Sequence, residues 1–145
     1  MRRIGTGAIA ISLLQCAQAS AQAPRVFLCE VVGSYTPNKA GTLQGIAESP
    51  MRGGQTKGQR FQVDIQSGAM TGDGFSSRTW PRTIVLDNGS SDRGSSYKVF
   101  YTSPPGGEFI NLAYLQINIY EDGLDKPFVL IEAAEVFTGN CRRAS

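Results

Sequence analysis

The 145-residue chain contains no histidine. That removes the imidazole base of serine and cysteine hydrolases, the imidazole ligands of most zinc sites, and the side chain that switches charge near neutrality. Proton transfer would fall to the 12 Asp and Glu residues. A glycoside hydrolase needs two carboxylates flanking the scissile bond, one with a raised pKa. Most of the acidic residues stand in turn-like stretches, such as Asp87-Asn88-Gly89 and Glu121-Asp122-Gly123. Glu30 and Asp64 fall in strand-like stretches, but alternation turns Asp64 away from the apolar face of Phe61, Val63 and Ile65. No carboxylate pair stands out. The chain reads as a non-enzyme, with a weak carboxylate-dependent hydrolase as an alternative.

Other motifs are weaker. Gly53-Gly54-Gln55-Thr56-Lys57-Gly58 lacks the Gly-Lys-Ser/Thr order of a phosphate loop and reads as polar loop. Asp87-Asn88-Gly89-Ser90-Ser91-Asp92 offers oxygen ligands but misses the spacing of a calcium loop. No metal site and no cofactor are expected. The single tryptophan stands in Arg78-Thr79-Trp80-Pro81-Arg82. Tryptophan and arginine dominate binding hot spots, so Trp80, Arg78 and Arg82 are the candidate binding residues. The competing reading folds Trp80 back as a lid on the end of the fold. Tyr114 and Tyr120, with Tyr101 or Phe100 on the next strand, suggest an outward aromatic rail, for which cross-strand pairing is reason enough.

The N-terminus reads as an export signal. Met1-Arg2-Arg3 is basic, Ile4 to Leu14 is apolar but too short to span a bilayer, and Ala19-Ser20-Ala21 offers small residues at a cleavage site. Residues 1–21 are assigned to the signal and 22–145 to one domain; cleavage after Ala23 also fits the spacing. Periplasmic or secreted localisation follows. Leu13-Leu14-Gln15-Cys16 resembles a bacterial lipobox with Gln in place of the usual small residue, so lipid anchoring through Cys16 is the alternative. The chain carries 14 Lys and Arg against 12 Asp and Glu, and Arg2 and Arg3 leave with the signal. A balanced mature chain argues against nucleic acid and against charge-driven membrane binding. No transmembrane span is expected in the mature chain, and a monomer is.

Once Cys16 leaves with the signal, Cys29 and Cys141 remain, near the two ends of the mature chain. In an exported protein an isolated pair reads as a disulfide. Closing so long a loop stabilises by about 4–5 kcal/mol on the chain-entropy model. It also requires the first and last strands to approach within about 6 Å.

Period-2 runs bounded by turn residues dominate the rest. Strands are expected over 26–35, 60–66, 82–87, 96–102 and 111–120, with a short return strand at 69–72. Ala113, Leu115, Ile117 and Ile119 share one face and Tyr114, Gln116, Asn118 and Tyr120 the other. Asp122-Gly123 turns the chain into a last run over 126–138. That run carries some helical spacing but reads as one strand with a bulge near Glu132. Thr42 to Glu48 has the composition of a helical turn, weakened by Gly45, and 50–58 reads as mobile loop. The expectation is an all-β domain, a small antiparallel barrel with its first and last strands tied by the disulfide; a sandwich is the alternative.

Several short motifs carry a resemblance. Phe61-Gln62-Val63-Asp64 followed by Ser67-Gly68, then Tyr114-Leu115-Gln116-Ile117, Lys126-Pro127-Phe128 and Gly139-Asn140-Cys141, together resemble a family of small exported proteobacterial β proteins. This resemblance implies fold and export rather than an activity. Ser67-Gly68-Ala69 is also similar to the inhibitory-loop motif of periplasmic lysozyme inhibitors of the small β-barrel type; Met70 and Thr71 depart from that motif. The functional expectation is a binding module for a protein, inhibitor-like, with a barrel that carries a small apolar ligand as the alternative.

Overall fold

The computed structural model describes residues 25–49, 54–75, 82–89, 96–103 and 112–144. Its elements are all strands: β1 (Val26–Pro37), β2 (Leu43–Gly45), β3 (Glu48–Ser49), β4 (Gly54–Gln55), β5 (Arg60–Asp64), β6 (Met70–Gly72), β7 (Arg82–Asn88), β8 (Tyr97–Thr102), β9 (Leu112–Ile117), β10 (Lys126–Glu132) and β11 (Glu135–Arg143). The longer ones are runs of β-branched and aromatic residues whose buried and exposed positions alternate, as a half-buried pleated surface demands.

One antiparallel sheet runs β6-β5-β1-β11-β10-β9-β8-β7, with β2 added beside the far end of β1. It curls into a half-barrel. The chain's first long strand lies against its last, and Cys29 faces Cys141 directly in the β1–β11 register. Their Cα atoms are 4.0 Å apart and joined by the disulfide. The two sulfurs point inward, into the core.

Inward positions fill the curl. Phe27, Val31, Phe61, Val63, Met70, Phe75, Val99, Leu115, Ile117, Leu130 and Phe137 are all buried. Phe61 is the hub of an aromatic chain: its ring lies 5.1 Å from Phe75 and 5.3 Å from Phe128, and Phe75 reaches Phe137 at 5.4 Å. Fully burying one such ring is worth about 1.5–3 kcal/mol.

The two edges of the sheet, β6 and β7, share no ladder among the described residues. Side chains bridge the seam instead. The Tyr101 hydroxyl donates to the Gly68 carbonyl at 2.9 Å, and the Tyr97 hydroxyl to the Asp64 carbonyl at 3.0 Å. The 64–69 turn therefore lies folded against β7 and β8. Gly68 is required there twice over. Its φ is 73°, and a Cβ would press within 3.1 Å of the side chains of Thr83, Val85 and Val99.

Several expectations change. The run 126–138 is two strands, not one bulged strand: Ala133 and Ala134 form a tight turn, with Ala133 at φ 50°, and Glu132 pairs with Glu135. The real bulges lie at Val31/Gly33 and Val85/Asp87. The 42–48 stretch does not coil: Leu43–Gly45 pairs with β1 and Glu48 with β4. Tyr101 points into the core and not along an outer rail, and Tyr120 lies in the turn after β9. Phe100 and Tyr114 do pair across β8 and β9. The 54–59 stretch is not loose: Thr56 is fully buried. The expected signal over 1–21, with Cys16, lies outside the described residues. Among those residues no helix is long and apolar enough to cross a membrane.

Candidate functional site

The outer face of the sheet around the disulfide forms an open groove of about 720 Å³. Alternation along β1 turns Leu28, Glu30 and Val32 outward as Phe27, Cys29 and Val31 turn in. The register then sets their neighbours. Leu28 lies between Gln62 of β5 and Arg142 of β11; Glu30 lies between Arg60 and Asn140. Thr71 and Asp73, after the turn, form one wall, and Asp125 forms part of the other.

Two ion pairs frame this surface. Arg60 Nε donates to Glu30 Oε2 at 2.9 Å. Arg142 bonds Asp125 through two nitrogens, Nη2 reaching Oδ2 at 3.0 Å, and holds that carboxyl below the usual carboxylate range. On either side of Glu30, Leu28 is 46% and Val32 53% exposed, two large apolar side chains in water. Leu28 lies beside arginine and glutamine rather than in an apolar sheet. The chemistry available is recognition: apolar contact in the centre and guanidinium and carboxylate groups at the rim.

Asp64, one of the two carboxylates that the sequence places in strand-like stretches, serves the backbone. Asp64 Oδ1 accepts from the Ser67 hydroxyl and from the N–H groups of Ser67 and Gln66, closing the turn. The Ser67 hydroxyl is the main cause of its lowered pKa. Asp87 does similar work, accepting from Gly89 N–H and facing Lys98 at 3.6 Å. Among the described residues no three His, Cys, Asp or Glu side chains gather as a metal site would require.

A second polar cluster was not foreseen. At the far end of β1 the short antiparallel pair β3–β4 is fastened to β1 and β11 as a strap. Ser49 donates to the buried carboxylate of Glu135, and Thr56 bonds Ser34, both hydroxyls buried. The bulge at Val31/Gly33 shifts the phase of β1 and brings Ser34 inside. Backbone bonds from Ile46 N–H to the Ser34 carbonyl and from Gly58 N–H to the Val31 carbonyl fix the feet of the strap. Counting back in twos from Cys141 along β11 gives Gly139, Phe137 and Glu135, so the inward course of Glu135 was present in the sequence. The cluster joins strap to wall.

Trp80 and Arg78 lie outside the described residues. Arg82 is exposed at the start of β7, opposite Thr102 and on the other flank of the sheet from the groove. Ser67 and Gly68 sit in the inward-folded turn, and Gly68 is buried. Comparison with protein-family models, with curated proteins and with solved structures returned no match.

Proposed function

We propose that the protein is a non-enzymatic binding module that takes a protein partner on the outer face of β5, β1 and β11. The observation that carries this reading is the half-exposed pair Leu28 and Val32, which stand on either side of Glu30 on the outer face, beside the Arg60–Glu30 and Arg142–Asp125 ion pairs. An apolar centre with arginine in a polar rim is the composition of protein interfaces. The partner would present an apolar side chain flanked by at least one acidic group able to share Arg60 or Arg142. Buried side chains fill the inside of the curl, which favours an outer surface over an internal cavity. The disulfide supports an oxidising compartment, the periplasm or the cell exterior.

The test is capture from envelope extract of the source cell by wild-type protein, compared with Leu28→Asp and Ile84→Asp. Ile84 is an exposed residue of β7, remote from the groove in the strand order. The reading expects one protein to be retained by wild type and Ile84→Asp and lost by Leu28→Asp. Equal retention by all three, or no captured protein, overturns it.

A further inference from the structure

The groove is not the only concave surface. At the end of the curl where β1 begins and β11 finishes, a second pocket of about 500 Å³ opens, sharing Arg142 with the groove. We infer that this pocket binds an anionic amphiphile: a carboxylate or phosphate monoester that carries an apolar chain or ring.

Three cations line the pocket: Lys126, Arg142 and Arg143. They converge because Lys126 starts β10 opposite Cys141, beside the last residues of β11. Two of them lack a carboxylate partner among the described residues. Lys126 Nζ donates to the backbone carbonyl of Glu121, and the Arg143 guanidinium lies 5.6 Å above the Phe27 ring, its register partner. No carboxylate lines the pocket. The nearest carboxylates in sequence, Glu121, Asp122 and Asp125, belong to the turn at the rim, and Asp125 is held by Arg142.

The rest of the lining is apolar. The Phe27 ring is braced from below by Tyr97, at 5.3 Å between centroids. Ile119 folds over the Gly89 backbone, where a Cβ would collide with its Cδ1; Gly89 also holds φ 66°. Leu124 stands at the rim 81% exposed, the most exposed of the large hydrophobic side chains among the described residues. Charge alone would suit free phosphate and apolar lining alone would suit a neutral lipid. The two together select a ligand with both parts. Mouths of β-barrels are common ligand sites, and this volume lies in their usual range.

The probes are decanoate, decanol and acetate, each below its aggregation limit, titrated into the full folded chain and followed by amide chemical shifts. Decanoate should move Phe27, Ile119, Leu124 and Arg143 saturably, while decanol and acetate bind about tenfold more weakly or less. Lys126→Gln with Arg143→Gln should weaken decanoate by about tenfold or more with an unchanged fold, checked by its melting curve. A vesicle arm separates the sources. Sedimentation with phosphatidylglycerol but not phosphatidylcholine vesicles, lost in the double variant, identifies the ligand as an acidic lipid in a bilayer. Decanoate binding without sedimentation identifies a free acid. Decanol equal to decanoate, shifts centred elsewhere, an unchanged double variant, or no binding in either arm overturns the inference.

Discussion

The two ends of the curled sheet are finished in opposite ways. At one end the strap is tied down by buried hydroxyls, Thr56 on Ser34 and Ser49 on Glu135, and its own surface is mostly exposed. At the other end the 64–69 turn is drawn inward by two tyrosine hydroxyls, and rings and cations surround an open pocket. Hydrogen bonds between buried polar groups are directional and costly to leave unmade. Aromatic and aliphatic contacts tolerate a foreign apolar surface in their place. One end is therefore closed by directional polar bonds and the other is left concave, although both hang on the same β1–β11 pair.

Cutting what the two ends share gives the largest effect. Cys29→Ser should lower Tm by more than about 10 °C, as the loss of several kcal/mol would in a domain of this size. Hydrogen exchange should rise at strap and mouth alike; a rise at one end only would mean that the disulfide braces that end alone.

Removing single hydroxyl groups then separates the ends. Thr56→Val leaves the Ser34 hydroxyl buried without its partner, and Tyr101→Phe removes the donor to the Gly68 carbonyl. Each should cost about 1–3 kcal/mol by denaturant unfolding. Thr56→Val should speed exchange in 54–59 and spare 64–69, and Tyr101→Phe should do the reverse. Equal effects on both segments would erase the distinction between the ends.

Alkali is a milder probe of the seam. Burial pushes the phenols of Tyr97 and Tyr101 well above the ordinary tyrosine range, with Asp64 adding to the effect at Tyr97 and Tyr97 to that at Tyr101. The folded state disfavours their ionisation. The stability they contribute is therefore fully present below about pH 10 and is lost as pH rises above it. Tyrosinate absorbance should show at least two of the five tyrosines ionising only as the protein unfolds. Ionisation of all five before any loss of structure would place these hydroxyls in water.

The smallest effect belongs to Asp64. Its carboxyl is lowered by the Ser67 hydroxyl and turn N–H groups, so its contribution is present above about pH 4 and fades as pH falls below it. Asp64→Asn should flatten the acid limb of the stability profile slightly and change the alkaline limb only a little, because burial is the larger cause at Tyr97. Loss of most of the alkaline limb would mean that the Asp64 charge, and not burial, governs the tyrosines.

Much of this was legible in the chain. The alternation of Ala113, Leu115 and Ile117 marks the buried face of β9, and the two cysteines bring the terminal strands together. What escaped did so for local reasons. Ala133-Ala134 turns without glycine, asparagine or proline, so β10 and β11 ran together in the sequence. A bulge reversed the facing of Ser34, which no alternation rule follows. The strap strands are two residues each, too short for a period to emerge. The cationic pocket joins Phe27 to residues about a hundred positions later through register alone, and the groove likewise sets β1 beside β5 and β11.

The placing of β1 beside β11 also governs when this molecule can exist. A chain is made from its N-terminus, so β1 is present early and its central neighbour is completed last. Until Glu135–Arg143 appears, one long edge of β1 has no native partner, and no shorter length of chain holds both halves of the sheet together. Pairings of such long sequence separation are slow to form. A nascent or truncated form is therefore a half-sheet with an open hydrophobic edge, a species that aggregates or is taken up by chaperones. Completion of Glu135–Arg143 is therefore the step that joins the two halves of the sheet.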